Sequence, residues 1–389
     1  MNTENKIKVL FRHRSMEMGG VEKVLLSMLN NLNRDKFDLK LSLNLFQGEL
    51  RHAIPQFIPY KTLAKGKEDF PTNPLLNKLS LGTRGLKLAL YRKFPIIADK
   101  FVLNNDADVE IATGYTMFSD VLNSSNKKSK KIGWFHSDIT YPKLQPAVSL
   151  ILEQIPQFDY FFWGSQQAKD IFIEKYPNIK LPPNEVIRNA IPIEELKEKA
   201  TEEKINFETE HPVFVTVGRL HSRKGHHKLL EAHVKLLKDG FPHKIYVIGD
   251  GEEKENLEQK IAAADVKESF ILLGSLLNPY TYVKQADFFI LPSESEGWPL
   301  IIADTLILQK PIISTNVGGI PEMITHEKNG YLIPYETSEI YSAMKEFMTN
   351  PELIETLKEN LKDSEKQFDN QKIFDTVENI ITKLATKNE

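Results

Sequence analysis

Two acids, Glu296 and Asp304, stand eight residues apart in ESEGWPLIIAD, where a polar turn runs into an apolar stretch. Asp304 is set among Leu300, Ile301, Ile302, Ala303, Leu306, Ile307 and Leu308. A helix apolar nearly all round is expected to be buried. A carboxylate inside it needs a hydrogen-bonding partner, which can be structural or a ligand. Upstream, GRLHSRKG (Gly218–Gly225) brings Arg219 and Lys224 to the start of an expected helix. Backbone N–H groups and the helix dipole favour an anion there. Two cations at that point suit a pyrophosphate, and Arg219 can bind two oxygens at once. His221, His226 and His227 have cations rather than carboxylates as sequence neighbours, so they are expected to be solvated and not to hold a metal.

Glycine loops accompany these charges. STNVGGIPE places Gly318 and Gly319 after an expected strand, and GGVE places Gly19 and Gly20 near the amino terminus. Both permit close backbone approach to a ligand. VIGDGEEKEN has Gly249 and Gly251, but Lys254 stands where a dinucleotide-binding loop would carry its third glycine. WFHSD puts His136 at the end of a strand. The Asp106-Ala-Asp108 sequence precedes the strand VEIATG at its amino end, and reads as a strand-entry turn rather than a metal site.

The elements that must position these residues alternate. KVLFRH, DVEIATG, KIGWFH and YFFWGS read as short apolar strands, each followed by polar or helical sequence. After the proline-rich stretch Pro177–Pro192 the series restarts with VFVTVGRL, KIYVIGDG, SFILLG, DFFILPS, PIIST and GYLIP. Continuous apolar strands between helices imply parallel sheets covered on both faces. The expected fold is therefore α/β, with two doubly wound Rossmann-like domains and a cleft between them. Ligands in such sheets bind beyond the carboxyl ends of the strands. The expected boundaries are residues 1–190, 191–368, and a C-terminal helix at 369–389 packing back on the first domain.

Composition fits a globular protein: 389 residues, 41% hydrophobic and 26% charged. With no cysteine, disulfides and thiolate metal sites are excluded. The amino terminus shows no signal-peptide pattern and no apolar run reaches membrane-span length, so a cytoplasmic protein is expected. Residues 1–190 carry 27 Lys+Arg against 19 Asp+Glu, whereas residues 191–389 carry 23 against 34. The basic excess gathers at Lys78, Arg84, Lys87, Arg92 and Lys93, and again at Lys127, Lys128, Lys130 and Lys131. Each patch alone reads as a solvated face, but together they suit an anionic membrane surface or a phosphorylated acceptor. Aromatic residues do not interleave with them as in nucleic-acid modules, so no nucleic acid is expected.

Taken in order, GGVE, GRL-x3-KG, IGDGEE, LPSESEGWPL with its following carboxylate, GGIPEMI and NGYLIP resemble the retaining glycosyltransferases of family 4, which have the GT-B fold. The resemblance is strongest from Val213 to Pro334. It implies a hexosyltransferase-type enzyme that binds a UDP- or GDP-sugar mainly on the C-terminal domain and a glycan or lipid-linked acceptor mainly on the N-terminal one. Arg219 and Lys224 would hold the diphosphate and stabilise the leaving group, so no metal or cofactor is expected. Glu296 matches the first acid of the family's Glu-x7-Glu motif and would bind donor-sugar hydroxyls. Asp304 matches the second, which accepts hydrogen bonds from ribose, although aspartate reaches one methylene less far than the usual glutamate. Gly19, Gly20, Gly218, Gly297, Trp298, Leu300, Gly318 and Gly319 would line the donor, and His136 would lie near the reacting sugar. The implied setting is cell-surface polysaccharide or glycoconjugate biosynthesis, possible also at the inner face of a membrane. Alternatives with the same fold are a catalytically silent sugar- or partner-binding protein and a sugar-nucleotide epimerase.

Overall fold

The computed structural model describes residues 6–207 and 209–386. The chain divides into two compact units: residues 1–190 with 370–389, and residues 191–369. Residues 387–389 of the expected C-terminal helix lie outside the described residues.

The first unit contains β1 (Ile7–His13), α1 (Gly20–Asn31), β2 (Phe37–Phe46), β3 (Tyr60–Lys65), α2 (Pro74–Lys93), β4 (Val109–Ala112), α3 (Phe118–Leu122), β5 (Lys130–Phe135), α4 (Gln145–Gln154), β6 (Tyr160–Trp163), α5 (Gln166–Lys175) and β7 (Asn184–Val186). Its seven strands pair in parallel in the order β3-β2-β1-β4-β5-β6-β7. Three of these strands fall outside the continuous apolar runs. In β2, FDLKLSLNLF, apolar and polar residues alternate, while β3 and β7 are short strands toward the sheet edges.

The second unit contains α6 (Ile193–Lys199), β8 (Val213–Val217), α7 (His226–Lys238), β9 (Lys244–Ile248), α8 (Lys254–Ala263), β10 (Phe270–Gly274), α9 (Tyr280–Gln285), β11 (Phe288–Leu291), α10 (Leu300–Ile307), β12 (Ile312–Thr315), β13 (Tyr331–Ile333), α11 (Thr337–Thr349) and α12 (Pro351–Leu361). Its strands pair in parallel in the order β10-β9-β8-β11-β12-β13. Strand order reverses between β1 and β4 in one sheet and between β8 and β11 in the other. Such reversals are where open α/β sheets bind ligands.

Each sheet is covered on both faces. Leu229, Leu236, Phe270 and Phe347 pack on one face of the second sheet, and Phe289, Ile302, Leu306 and Ile320 form the other core. After the second unit, α13 (Asn370–Thr386) belongs to the first. It buries Phe374, Val377 and Ile381, and its Glu378 accepts a 2.8 Å bond from Asn33 N and pairs with Lys36 at 3.2 Å.

The second basic patch is not the surface its sequence suggests. Lys131 is buried and pairs with Glu110, which also meets Arg12 at 2.8 Å; Arg12 in turn binds Asp99 at 2.5 Å. Lys130 pairs with Asp159 at 3.6 Å. The cause is the start of β5 at Lys130, which turns the next side chain inward over an internal carboxylate; only Lys127 and Lys128 stay exposed. Asp106 and Asp108 also have structural partners. Asp106 binds Lys8 at 2.6 Å and Lys40 at 2.9 Å, and these hydrogen bonds hold its pKa down to about 2. Asp108 accepts from the backbone N–H of Lys8 at 2.8 Å.

Candidate functional site

In the second unit, Lys224 and Glu296 meet where β8 and β11 lie side by side. A short 3-10 turn, Ser222–Lys224, follows β8, and Gly225 then starts α7 in the left-handed conformation, φ 71°. A Cβ at Gly225 would run into the Pro292 carbonyl, so this position requires glycine. The close approach draws the loop after β8 against the loop after β11, and Glu294 N donates to Arg223 O at 2.7 Å. From the other side, Gly319 N donates to Gly297 O at 2.5 Å, and the Thr315 hydroxyl donates to Ser293 O at 2.6 Å. Gly318, at φ 60°, leaves no room for a Cβ beside the Glu296 carbonyl. The Glu296 loop is thus clamped between its two neighbours.

The Glu296 side chain is 6% exposed. Lys224 Nζ donates to its Oε1 at 2.6 Å, and Ser293 Oγ donates to the same oxygen at 2.6 Å. Burial works to raise the pKa of Glu296, but the Lys224 charge and these two hydrogen bonds outweigh it and hold the value below the ordinary carboxylate range. Oε2 remains to accept a further bond. Lys224 has three N–H donors and uses one on Glu296. Gly218 lies against the aliphatic stem of Lys224. Arg219 is exposed and pairs with no acid among the described residues. Buried carboxylate, half-buried ammonium and open guanidinium therefore lie within a few residues of the carboxyl ends of β8 and β11.

Asp304 is 4% exposed on α10, and the Tyr280 hydroxyl of α9 hydrogen-bonds to it. Burial and the Asp304 charge both push the phenol pKa upward, so Tyr280 stays a proton donor. Pro299 precedes α10 and carries no N–H; Leu300, the first helical residue, is half-buried. The Trp298 indole is buried in the core against Phe368, so only its backbone faces the loop.

The histidines after β8 differ from the solvated groups that sequence suggests. His226 is 5% exposed, and burial lowers its pKa to about 3, helped by Lys224 and His227. The first turn of α7 packs it beneath the loop. His221 pairs with Glu252 at 3.3 Å, a carboxylate brought near by the β9 loop rather than by sequence proximity.

In the first unit, the reversal between β1 and β4 carries its own polar cluster. His13 Nδ1 lies 2.7 Å from the Thr113 hydroxyl, and its Nε2 lies 3.4 Å from Glu22 Oε1. Thr113 Oγ1 donates to Arg12 O at 2.9 Å, so Nδ1 of His13 must be the donor to Thr113. Gly19 caps α1 in extended backbone beside the Glu22 carboxylate, and Gly20 begins the helix. His136, just beyond β5, stacks on Trp134 with ring centroids 4.9 Å apart. Burial, then the nearby His13, lowers its pKa to about 3, and its buried Nε2 has no hydrogen-bond partner among the described residues. Ser293, Tyr280, His13, Thr113 and Glu22 are the site residues that motif reading does not single out. Their partners lie far off in the chain, apart from the Ser293–Glu296 and His13–Glu22 pairs.

Residues 197–364 match the family model described as glycosyl transferases group 1. The matched stretch lies within the second unit, and the two-sheet architecture is the GT-B fold. The chain is 25% identical over 377 residues to an N-acetylgalactosamine-N,N'-diacetylbacillosaminyl-diphospho-undecaprenol 4-alpha-N-acetylgalactosaminyltransferase from Campylobacter jejuni, covering 92% of this chain and 95% of that one. Its fold is shared with Anabaena Alr3699/HepE in a crystal structure in complex with UDP and glucose, with TM-score 0.77 and 18% identity over 97% of this chain and 100% of that one. It is also shared with a sucrose-phosphate synthase from Thermosynechococcus elongatus, with TM-score 0.72 and 14% identity over 98% and 100% of the two chains. Among the described residues, no helix is long and apolar enough to cross a membrane.

Proposed function

We propose that this protein is a glycosyltransferase that transfers a hexose-type sugar, with retention of configuration and without a metal, from a UDP-sugar to a glycan or lipid-linked glycan in cell-surface glycoconjugate biosynthesis. The observation that carries the reading is the Lys224–Glu296 pair with the unpaired Arg219 beside it. Lys224 keeps two N–H donors for diphosphate oxygens, and Arg219 supplies a second cation. Their charge offsets the negative charge that grows on the departing nucleotide, the role a divalent ion would otherwise fill. Glu296 Oε2 accepts from a sugar hydroxyl while Lys224 and Ser293 hold Oε1 in place. Backbone groups at Gly218, Gly297, Leu300, Gly318 and Gly319 complete the donor site. Asp304, oriented by Tyr280, accepts from the ribose.

In the first unit, Gly19, Gly20 and the neutral His136 would serve the reacting sugar and its acceptor. The acceptor hydroxyl attacks the anomeric carbon as the glycosyl–phosphate bond breaks. Its proton passes to the leaving phosphate, so no separate general base is assigned. The UDP complex of Anabaena Alr3699/HepE favours uridine over guanosine for the base, and the diphospho-undecaprenol substrate of the Campylobacter relative favours a lipid-linked acceptor.

Thermal shift with UDP, GDP and their sugar conjugates tests the donor, since a ligand bound only to the folded state raises its melting temperature. Stabilisation by UDP together with slow hydrolysis of a UDP-sugar is expected. Stabilisation by no nucleotide, or epimerisation of the sugar nucleotide without transfer, would overturn the reading.

A further inference from the structure

We propose that α2 is an in-plane membrane-docking helix, which seats a row of leucines in an anionic lipid surface. Asn73 caps the helix by accepting from Leu75 N at 3.0 Å and Leu76 N at 3.3 Å, and Pro74 opens it. Its twenty residues therefore start firmly, yet none of them is buried. One side faces the protein: Arg84 lies over the Phe70 ring and reaches Gln47 at 3.4 Å, and Leu88 and Tyr91 pack against the cluster of Leu63, Ala98 and Leu103. At 3.6 residues per turn, Leu75, Leu79, Leu86 and Leu90 share the opposite side. They are among the most exposed apolar side chains of the protein, with Leu75 80%, Leu86 75% and Leu79 64% exposed. Phe94, Ile96 and Phe101 continue the exposed apolar residues past the helix end.

Charge selects the occupant. The same geometry sets Lys78 and Arg92 along one flank of the leucine row, Lys87 along the other and Lys93 at its end. No acid occurs between Pro71 and Ala98. An apolar stripe between two cationic borders is the pattern of a helix lying at a lipid headgroup boundary, with lysines and arginines reaching the phosphates. Each basic residue near an anionic leaflet adds attraction. A second copy of the same helix would bring cations against cations. Docking here would present the enzyme to a lipid-linked acceptor, so its purpose rests on the proposed reaction; the docking itself does not.

The test is sedimentation of the full chain with vesicles of phosphatidylcholine alone and of phosphatidylcholine mixed with phosphatidylglycerol, at low and high salt. Wild type should pellet with the anionic vesicles and less so as salt rises. The pair Leu79→Ser and Leu86→Ser should weaken partitioning by about tenfold or more. Lys78→Gln with Lys87→Gln should weaken it and flatten the salt dependence. Circular dichroism and the UDP thermal shift of each variant, matching wild type, keep loss of docking separate from loss of fold. Equal pelleting by wild type and the leucine variant overturns the proposal. So does a lipid-free, concentration-dependent dimer that the leucine changes dissolve. Vesicle binding without any donor hydrolysis would leave docking standing and remove the proposed reaction; hydrolysis without vesicle binding would do the reverse.

Discussion

Lys224 and Glu296 neutralise each other out of water, so neither can be removed without changing the other. Taking away one partner of a buried pair costs about 3–5 kcal/mol. Lys224→Ala should lower the urea midpoint, and adding Glu296→Gln should recover most of the loss, because an amide needs no counter-charge. Turnover of Lys224→Ala should fall about 100-fold or more if the ammonium stabilises the leaving group; turnover near wild type would remove it from that role. Asp304 calls for a different comparison. Tyr280→Phe deletes one buried hydrogen bond and should cost about 1 kcal/mol of stability with little change in nucleotide affinity. Asp304→Ala should weaken UDP binding by calorimetry, and unchanged affinity would leave the acid as Tyr280's structural partner alone. The spacing of Glu296 to Asp304 and of Arg219 to Lys224 is legible in sequence because each pair lies within one short stretch of chain. Tyr280 is not, since one tyrosine in a short helix gives no signal until α9 packs on α10.

At the scale of elements, the strands with continuous apolar runs are legible because both faces of each are buried, as β11 with four buried residues illustrates. β2 carries a different signal, the alternation of Phe37, Leu39, Leu41, Leu43 and Leu45 with polar residues. β7 is three residues long and carries almost none. The basic run at Lys127–Lys131 shows why charge counting fails at strand starts: strand pleat, not composition, decides which lysine turns inward. For α13, the decisive contact is the Glu378 carboxylate on the Asn33 N–H. Glu378→Ala leaves that donor without its carboxylate and should cost about 1–3 kcal/mol, read as a lower urea midpoint. Lys36→Ala removes only an exposed ammonium from the pair, and should shift the midpoint far less.

For the molecule as a whole, acid strikes both units. His136 in the first and His226 and His233 in the second are buried, and burial lowers each pKa to about 3. His233 lies 2.8 Å from His243, whose pKa burial also lowers. The unfolded chain protonates such groups near pH 6.5. Between there and about pH 3 the unfolded state holds more protons, so stability falls as pH falls, by about 1.4 kcal/mol per pH unit for each fully depressed histidine. Urea midpoints at pH 7.5 and 5.5 should separate clearly, and His233→Gln should narrow the gap. A second whole-chain consequence follows from α13, which packs into the first unit although residues 191–369 precede it. Domains usually fold from the amino terminus during synthesis. Here the first unit still lacks Phe374, Val377 and Ile381 when the second has been completely translated. Residues 191–369 are therefore synthesised whole before the first unit can close its core, which waits for α13.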